Sequence, residues 1–228
     1  MLAALVGQQG WIVQSGPFAG MVLPDRASWG DGDLLPKLLG VYEAELHPVI
    51  DEIAAAAPDL IVNVGAAEGY YAIGMARLLP GTFVLAFDTE PRSQEICRQA
   101  AALNDVGVRV AVAGQCTPDL LQAILPRGRT PVVICDCEGY ERTLIDPQRV
   151  PALRTAVLVV ECHDFVDAST TQTLVDRLSP SHTLIRIREG ARDPNELPFL
   201  QGLDSLDRWL AVCEYRPSTM HWLVARPR

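Results

Sequence analysis

Five short runs, LIVNV, FVLAF, VRVAV, VVIC and AVLVV (residues 60–64, 83–87, 108–112, 132–135 and 156–160), are apolar almost throughout and recur at regular intervals. A strand with one wet face alternates apolar and polar residues. Runs without alternation fit strands buried on both faces, as in a parallel sheet. Parallel neighbours need long crossovers, and the segments between these runs are long enough to hold helices, as at 91–103 and 170–178. HTLIRIREG and MHWLVARP, nearer the C-terminus, read as two further strands, with a loop and helix between them at 192–214. The expectation is an open, mostly parallel α/β sheet.

Ahead of that core, GWIVQSGPFAGMVL (10–23) reads as a short β-hairpin around Ser15-Gly16-Pro17, and DRASWGDGD (25–33) as a loop. Tyr42, Leu46, Val49, Ile50, Ile53 and Ala57 then recur at helical spacing, with Glu43, Glu45, Asp51 and Glu52 elsewhere on the helix. No stretch reads as a linker. Residues 1–228 are therefore expected to form one domain, 1–40 as hairpin and loop and 41–228 as the core. The opening MLAALVGQQGWIVQ has no basic segment and too short an apolar run for a signal peptide. No apolar stretch approaches a membrane span. A net charge of -9 with no Lys/Arg-rich run argues against a nucleic-acid surface. Six cysteines without a small-domain disulfide pattern suit the reducing cytoplasm.

In an open parallel sheet, ligands bind beyond the carboxyl ends of the strands, near the point where strand order reverses. The run ends are residues 63–69, Asp88, 114–116, 136–139 and 161–164, and four of the five carry a carboxylate. After the first run, Gly65, Ala66, Ala67, Glu68 and Gly69 supply more small residues than a turn requires. Glycines there let a ligand approach the backbone and the helix N-terminus closely. Asp88, at the end of the next run, is placed to accept hydrogen bonds from a ribose. The dinucleotide fingerprint G-x-G-x-x-G is missing, and Glu68 inside the loop would repel a pyrophosphate. A ligand with a positive group and no phosphate, such as S-adenosylmethionine, fits better. A glycine turn that serves only helix packing is the bland alternative; the strand, helix and Asp88 in register favour the ligand.

VNVGAAEGYYAIGMA, VLAFDTEP, VVICDCEGYERTLID and LVVECHDF together resemble the FkbM-type S-adenosylmethionine-dependent methyltransferases, and LLGVYEAEL resembles that family's lead-in helix. The resemblance covers roughly residues 40–165, and its more specific part is the Asp-x-Glu-Gly-x-Glu pattern at Asp136, Glu138, Gly139 and Glu141. It implies a Rossmann-like, seven-stranded, mostly parallel sheet with helices on both faces and an antiparallel last strand. It also implies methyl transfer, most often to a hydroxyl of a sugar, polyketide or similar small molecule. Carried over residue by residue, cofactor contacts fall at Gly65, Glu68 and Gly69, at Asp88 for the ribose, and near Gln115 for the adenine. Asn63 stands where the family often has an aspartate, and can orient the loop by hydrogen bonding.

A hydroxyl nucleophile needs its proton removed or its oxygen bound to a metal. Asp136 ends the fourth run beside the expected methyl group, and Glu161 and His163 follow the fifth. Asp136, Glu161 and His163 are thus candidates for general base, for ligands to Mg2+ or another divalent cation, or for both. Glu138 reads rather as a cap for the next helix, and His47, His182 and His221 as structural. A zinc set of Cys135, Cys137, Cys162 and His163 is set aside. Paired zinc ligands usually sit in turns with two to four intervening residues, and the adjacent acids favour a harder ion. The function expected is O-methylation of a small molecule by a cytoplasmic enzyme, with self-association left open. The alternatives are a nicotinamide-dependent oxidoreductase and a nucleoside-binding module without catalysis. The carboxylates at the strand ends argue against the second.

Overall fold

The computed structural model describes residues 1–26 and 33–228. Its centre is a seven-stranded sheet. Five parallel strands, β1 (Leu60–Val64), β2 (Phe83–Phe87), β3 (Val110–Ala113), β4 (Val132–Cys135) and β5 (Val157–Glu161), are followed by β6 (His182–Arg188) and β7 (His221–Pro227). Their order is β3-β2-β1-β4-β5-β7-β6, and β7 runs antiparallel to both neighbours. Three of the five apolar runs are strands over their full expected length. The third starts later, at Val110, because Val108 is 88% exposed and Arg109 turns back to the carbonyls of Leu79 and Thr82.

Alternate residues of each strand feed two cores, the consequence of a period of two in a sheet covered on both faces. Ile61, Ile134, Val159 and Val224 pack on one side with α3 (His47–Ala56), α4 (Tyr70–Leu78) and α5 (Pro91–Leu103). Val62, Val133, Val160 and Leu223 pack on the other with α6 (Pro118–Ile124), α7 (Glu141–Leu144) and α8 (Thr170–Leu178). Among the described residues, no helix is long and apolar enough to cross a membrane.

The N-terminal segment departs from expectation. Helix α1 (Leu2–Gln9) opens the chain. Residues 10–23 double back but build no ladder, and a single antiparallel bridge joins Ile12 to Val22. Contacts to the rest of the chain hold the segment down, among them the Gln14 N–H donating to the Leu38 carbonyl at 2.8 Å and the Ser15 hydroxyl donating to the Leu39 carbonyl at 2.6 Å. Asn104 both donates to the Val22 carbonyl and accepts from its N–H, and the Phe18 ring fills the notch left by Gly74 in α4. A Cβ at Gly74 would come within 2.5 Å of that ring. Of the loop expected over 25–33, residues 27–32 lie outside the described residues. A short helix, α2 (Leu34–Leu39), follows. The helix expected from Tyr42 starts later, at His47, and Glu43 takes a left-handed conformation ahead of it.

Candidate functional site

Strand order reverses between β1 and β4, and two cavities open at their carboxyl ends. The larger, about 610 Å³, is bounded by Gly65, Ala67, Asp88, Gln115, Cys137 and Tyr140, with Lys37 and Tyr42 on the far side. The smaller, about 400 Å³, is bounded by Glu43, Glu161, His163, Phe165, Arg216 and Met220. Asp33, Tyr42, Asp136, Glu138, Glu214 and Tyr215 border both. Two adjoining pockets that share a wall of carboxylates can hold two reactants side by side.

The backbone of the β1–α4 turn is held from two sides. Gly65 lies at φ 76, and a Cβ there would overlap the Asp136 carbonyl oxygen. Asp88 accepts from the Ala67 N–H at 2.8 Å through one oxygen and from the Glu90 N–H at 2.9 Å through the other. A carboxylate has about four lone-pair sites, so the same group can still accept from a ligand. Gly65, Asp88, Gln115 and Asp136 all lie on the larger cavity. Gly69, at φ 94, caps α4 and clears the Cys97 sulfur; Asn63 donates to the Ile134 carbonyl at 3.4 Å. Both support the turn from behind the cavity wall.

Glu68 differs from its expected place. It is buried, and its carboxylate pairs with the ammonium of Lys37, which also binds Asp33 and stands 4.7 Å over the Tyr42 ring. Burial works against the charged form of Lys37, but Glu68 and Asp33 outweigh it and hold the pKa above its ordinary value. The negative charge of Glu68 is therefore answered within the protein, and it no longer argues for a cationic ligand or against a pyrophosphate.

At the smaller cavity the carboxylates crowd. His163, 1% exposed, directs Nε2 toward oxygens of Asp136, Glu138 and Glu161, each at 3.4 Å. Its Nδ1 lies 2.6 Å from Glu141 Oε1, and the same oxygen accepts from the N–H groups of Cys137 and Gly139. The turn after β4 is thus fixed by Glu141, not by Glu138, which sits in a left-handed conformation with its side chain 60% exposed. Burial, then the carboxylates of Glu161 and Glu43, push Asp136 well above the usual carboxylate range. Burial and Glu161 also push Glu43 up to about 8, against the pull of Arg216. Ligand atoms of Asp136, Glu161 and His163 lie within 4.8 Å of one another, and Asp136 Oδ1 is buried without a hydrogen-bond partner. A hard divalent cation fits such a set, and the Glu141 contact to the far side of the imidazole is the usual support of a metal-bound histidine.

Sequence reasoning missed the basic half of this site. Arg216, in the loop before β7, binds Glu43 at 2.8 Å, pairs with Glu161, and contacts Glu214 at 2.9 Å. Glu43 is buried there and also accepts from the Tyr71 hydroxyl. It is not on the solvent face of a helix: burial and Glu161 work against its charge, and Arg216 and Tyr71 offset that only in part. The one signal in the sequence was the surplus of acids at the strand ends, which required cations from flanking loops.

No family model matches the chain, and no curated protein matches it in sequence. Solved structures do. The O-methyltransferase TomG from Streptomyces achromogenes, in complex with SAM, aligns over 84% of this chain and 82% of its own, with TM-score 0.58 and 16% identity. Cofactor-bound Rv0187 from MTB aligns over 100% and 89%, with TM-score 0.58 and 17% identity. The O-methyltransferase from Bacillus cereus in complex with SAH aligns over 79% of each chain, with TM-score 0.53 and 14% identity. At these identities the likeness is one of fold. The chain has the Rossmann-like fold of these methyltransferases.

Proposed function

We propose that the protein is an S-adenosylmethionine-dependent O-methyltransferase acting on a small hydroxylated molecule. The observation that carries this reading is the junction of the two cavities at Asp136. The solved O-methyltransferases of the same fold, one with SAM and one with SAH, support it. The D-x-E-G-x-E pattern at 136–141 supports the narrower placement among FkbM-type enzymes. Six free cysteines fit a reducing compartment such as the cytoplasm.

In this reading the larger cavity holds the cofactor, which supplies a methyl group on a sulfonium. Gly65 brings the β1–α4 backbone against it, Asp88 accepts from the ribose hydroxyls, and Gln115 borders the adenine. The acceptor enters the smaller cavity beside Phe165 and Met220. Asp136 takes the proton from its hydroxyl, and the raised basicity of this carboxylate suits that task. Asp136, Glu161 and His163 are also the residues that would hold a divalent cation, which would stabilise the negative charge developing on the acceptor oxygen.

Calorimetric titration with S-adenosylhomocysteine and with NAD tests the cofactor. The first should bind, and Asp88→Ala should weaken it by roughly 1.5–3 kcal/mol, the worth of a charge-assisted acceptor. Binding of NAD with no binding of S-adenosylhomocysteine overturns the reading. Turnover is followed with methyl-labelled cofactor over a panel of hydroxylated small molecules. Asp136→Asn should bind cofactor nearly as wild type does and lose about 10²–10⁴-fold in rate. Loss of activity in EDTA, restored by magnesium, distinguishes the metal-assisted form from a bare base.

A further inference from the structure

Cys135 closes β4, Cys137 follows two residues on, and their sulfurs lie 3.4 Å apart. Cys135 is fully buried, whereas Cys137 is partly exposed in the wall of the larger cavity. An oxidant entering that cavity meets Cys137 first and finds a second thiol in contact with it. The methyl-transfer chemistry above uses neither sulfur. From this geometry we infer that Cys135 and Cys137 form an oxidisable dithiol, a site where a peroxide installs an intramolecular disulfide.

The step balances with one molecule of hydrogen peroxide. The Cys137 sulfur attacks one peroxide oxygen, the O–O bond breaks, and a sulfenic acid forms with release of one water. The Cys135 sulfur then attacks the sulfenic sulfur, the S–O bond breaks, and a second water leaves with the thiol proton. Two thiols are oxidised, the peroxide is reduced to two waters, and the chain loses two hydrogens.

The consequence falls on the residue between the two cysteines. A disulfide needs Cα atoms about 4.4–6.8 Å apart. Residues two apart along a strand stand at roughly 6.6 Å, inside that range. Closing the bond still brings the sulfurs from 3.4 Å to about 2.05 Å, and the chain at Asp136 between them takes up the shift. That stretch has little slack: the Asp136 N–H donates to the Val64 carbonyl at 2.9 Å, and its own carbonyl packs against Gly65. Oxidation displaces the Asp136 carboxylate and the glycine loop together, and both cavities change shape.

The test treats the intact protein with hydrogen peroxide, blocks remaining thiols with an alkylating agent, and maps the peptides by mass spectrometry. The expected product is a peptide carrying Cys135 and Cys137 that takes up no alkyl group and is lighter by about 2 Da, the two thiol hydrogens. Dithiothreitol restores it. S-adenosylhomocysteine affinity should fall at least tenfold on oxidation and recover on reduction, whereas peroxide-treated Cys135→Ala should carry Cys137 as sulfenic or sulfinic acid and no disulfide. Peroxide-treated protein in which both cysteines still alkylate overturns the inference. So does a wild-type Cys137 that stops at sulfinic acid. The mapping needs neither a variant nor a bound cofactor. Its result therefore holds whether or not Cys135→Ala folds, and separately from the methyltransferase reading.

Discussion

Replacing Lys37 by Met keeps most of the side-chain volume and removes the ammonium that holds Glu68 and Asp33. Asp33 is 25% exposed and can turn to water, but Glu68, at 4%, cannot. Breaking a buried pair from one side typically costs about 3–5 kcal/mol. Glu68 can relieve the loss by taking up a proton. From an ordinary glutamate pKa of about 4.3, protonation at pH 7 costs roughly 3.7 kcal/mol, and at pH 5.5 only roughly 1.6 kcal/mol. The destabilisation of Lys37→Met should therefore be about 3–4 kcal/mol at pH 7 and should shrink below about 2 kcal/mol at pH 5.5. Adding Glu68→Gln removes the charge that Lys37 answers, so the double variant should recover most of the loss and flatten the pH dependence. Urea unfolding of wild type, both single variants and the double variant at the two pH values measures this. A Lys37→Met loss under about 1 kcal/mol at pH 7, or one that grows as pH falls, would refute the pairing and the burial behind it.

That pair also marks where sequence reasoning ran out. The strands at 60–64, 83–87 and 132–135 and the helices at 91–103 and 170–178 stand where the pattern placed them. In each case a local feature sufficed: an apolar run flanked by turn residues, or, for α5, Pro91 at the first helical position with Glu90 capping it. The carboxyl ends of those strands located the cavities for the same reason, since sheet topology alone decides where a doubly wound sheet opens. Lys37, by contrast, sits in LLPKLL, an apolar context in which a lysine reads as the exposed residue of a short helix. Its burial depends on Glu68 and on the rings of Tyr42 and Tyr70, none of which its own neighbours announce. The same holds for Arg216, whose ion pair with Glu43 joins two loops from opposite ends of the chain. The hairpin expected around Ser15-Gly16-Pro17 forms no strand ladder, and residues 10–23 are held instead by partners outside the segment, at Leu38, Leu39, Gly74 and Asn104.

Two further outcomes follow from the site. Gly65→Ala puts a left-handed alanine, costing about 1–2 kcal/mol by itself, against the Asp136 carbonyl. The left-handed strain alone, at roughly 2 kcal/mol, lowers the melting temperature by about 4–8 °C in a chain of this size, and the overlap with the Asp136 carbonyl should make the drop larger. S-adenosylhomocysteine affinity should fall at least tenfold, and wild-type affinity would contradict the placement of the cofactor against this loop. For His163, burial disfavours the charged ring, but Glu141, then Glu161 and Glu138, raise its pKa above the ordinary 6.5. A raised folded-state value means that the charged ring adds stability fully below about pH 6.5 and loses it as pH climbs through the folded value. In EDTA, NMR titration of the His163 ring, assigned with His163→Gln, should give a midpoint above 6.5. A cation held by Asp136, Glu161 and His163 requires the neutral imidazole, so saturating magnesium should move that midpoint down. A midpoint at or below 6.5 in EDTA would contradict the carboxylate cage around the ring, and a titration unmoved by magnesium would leave Asp136 as a base acting without a metal.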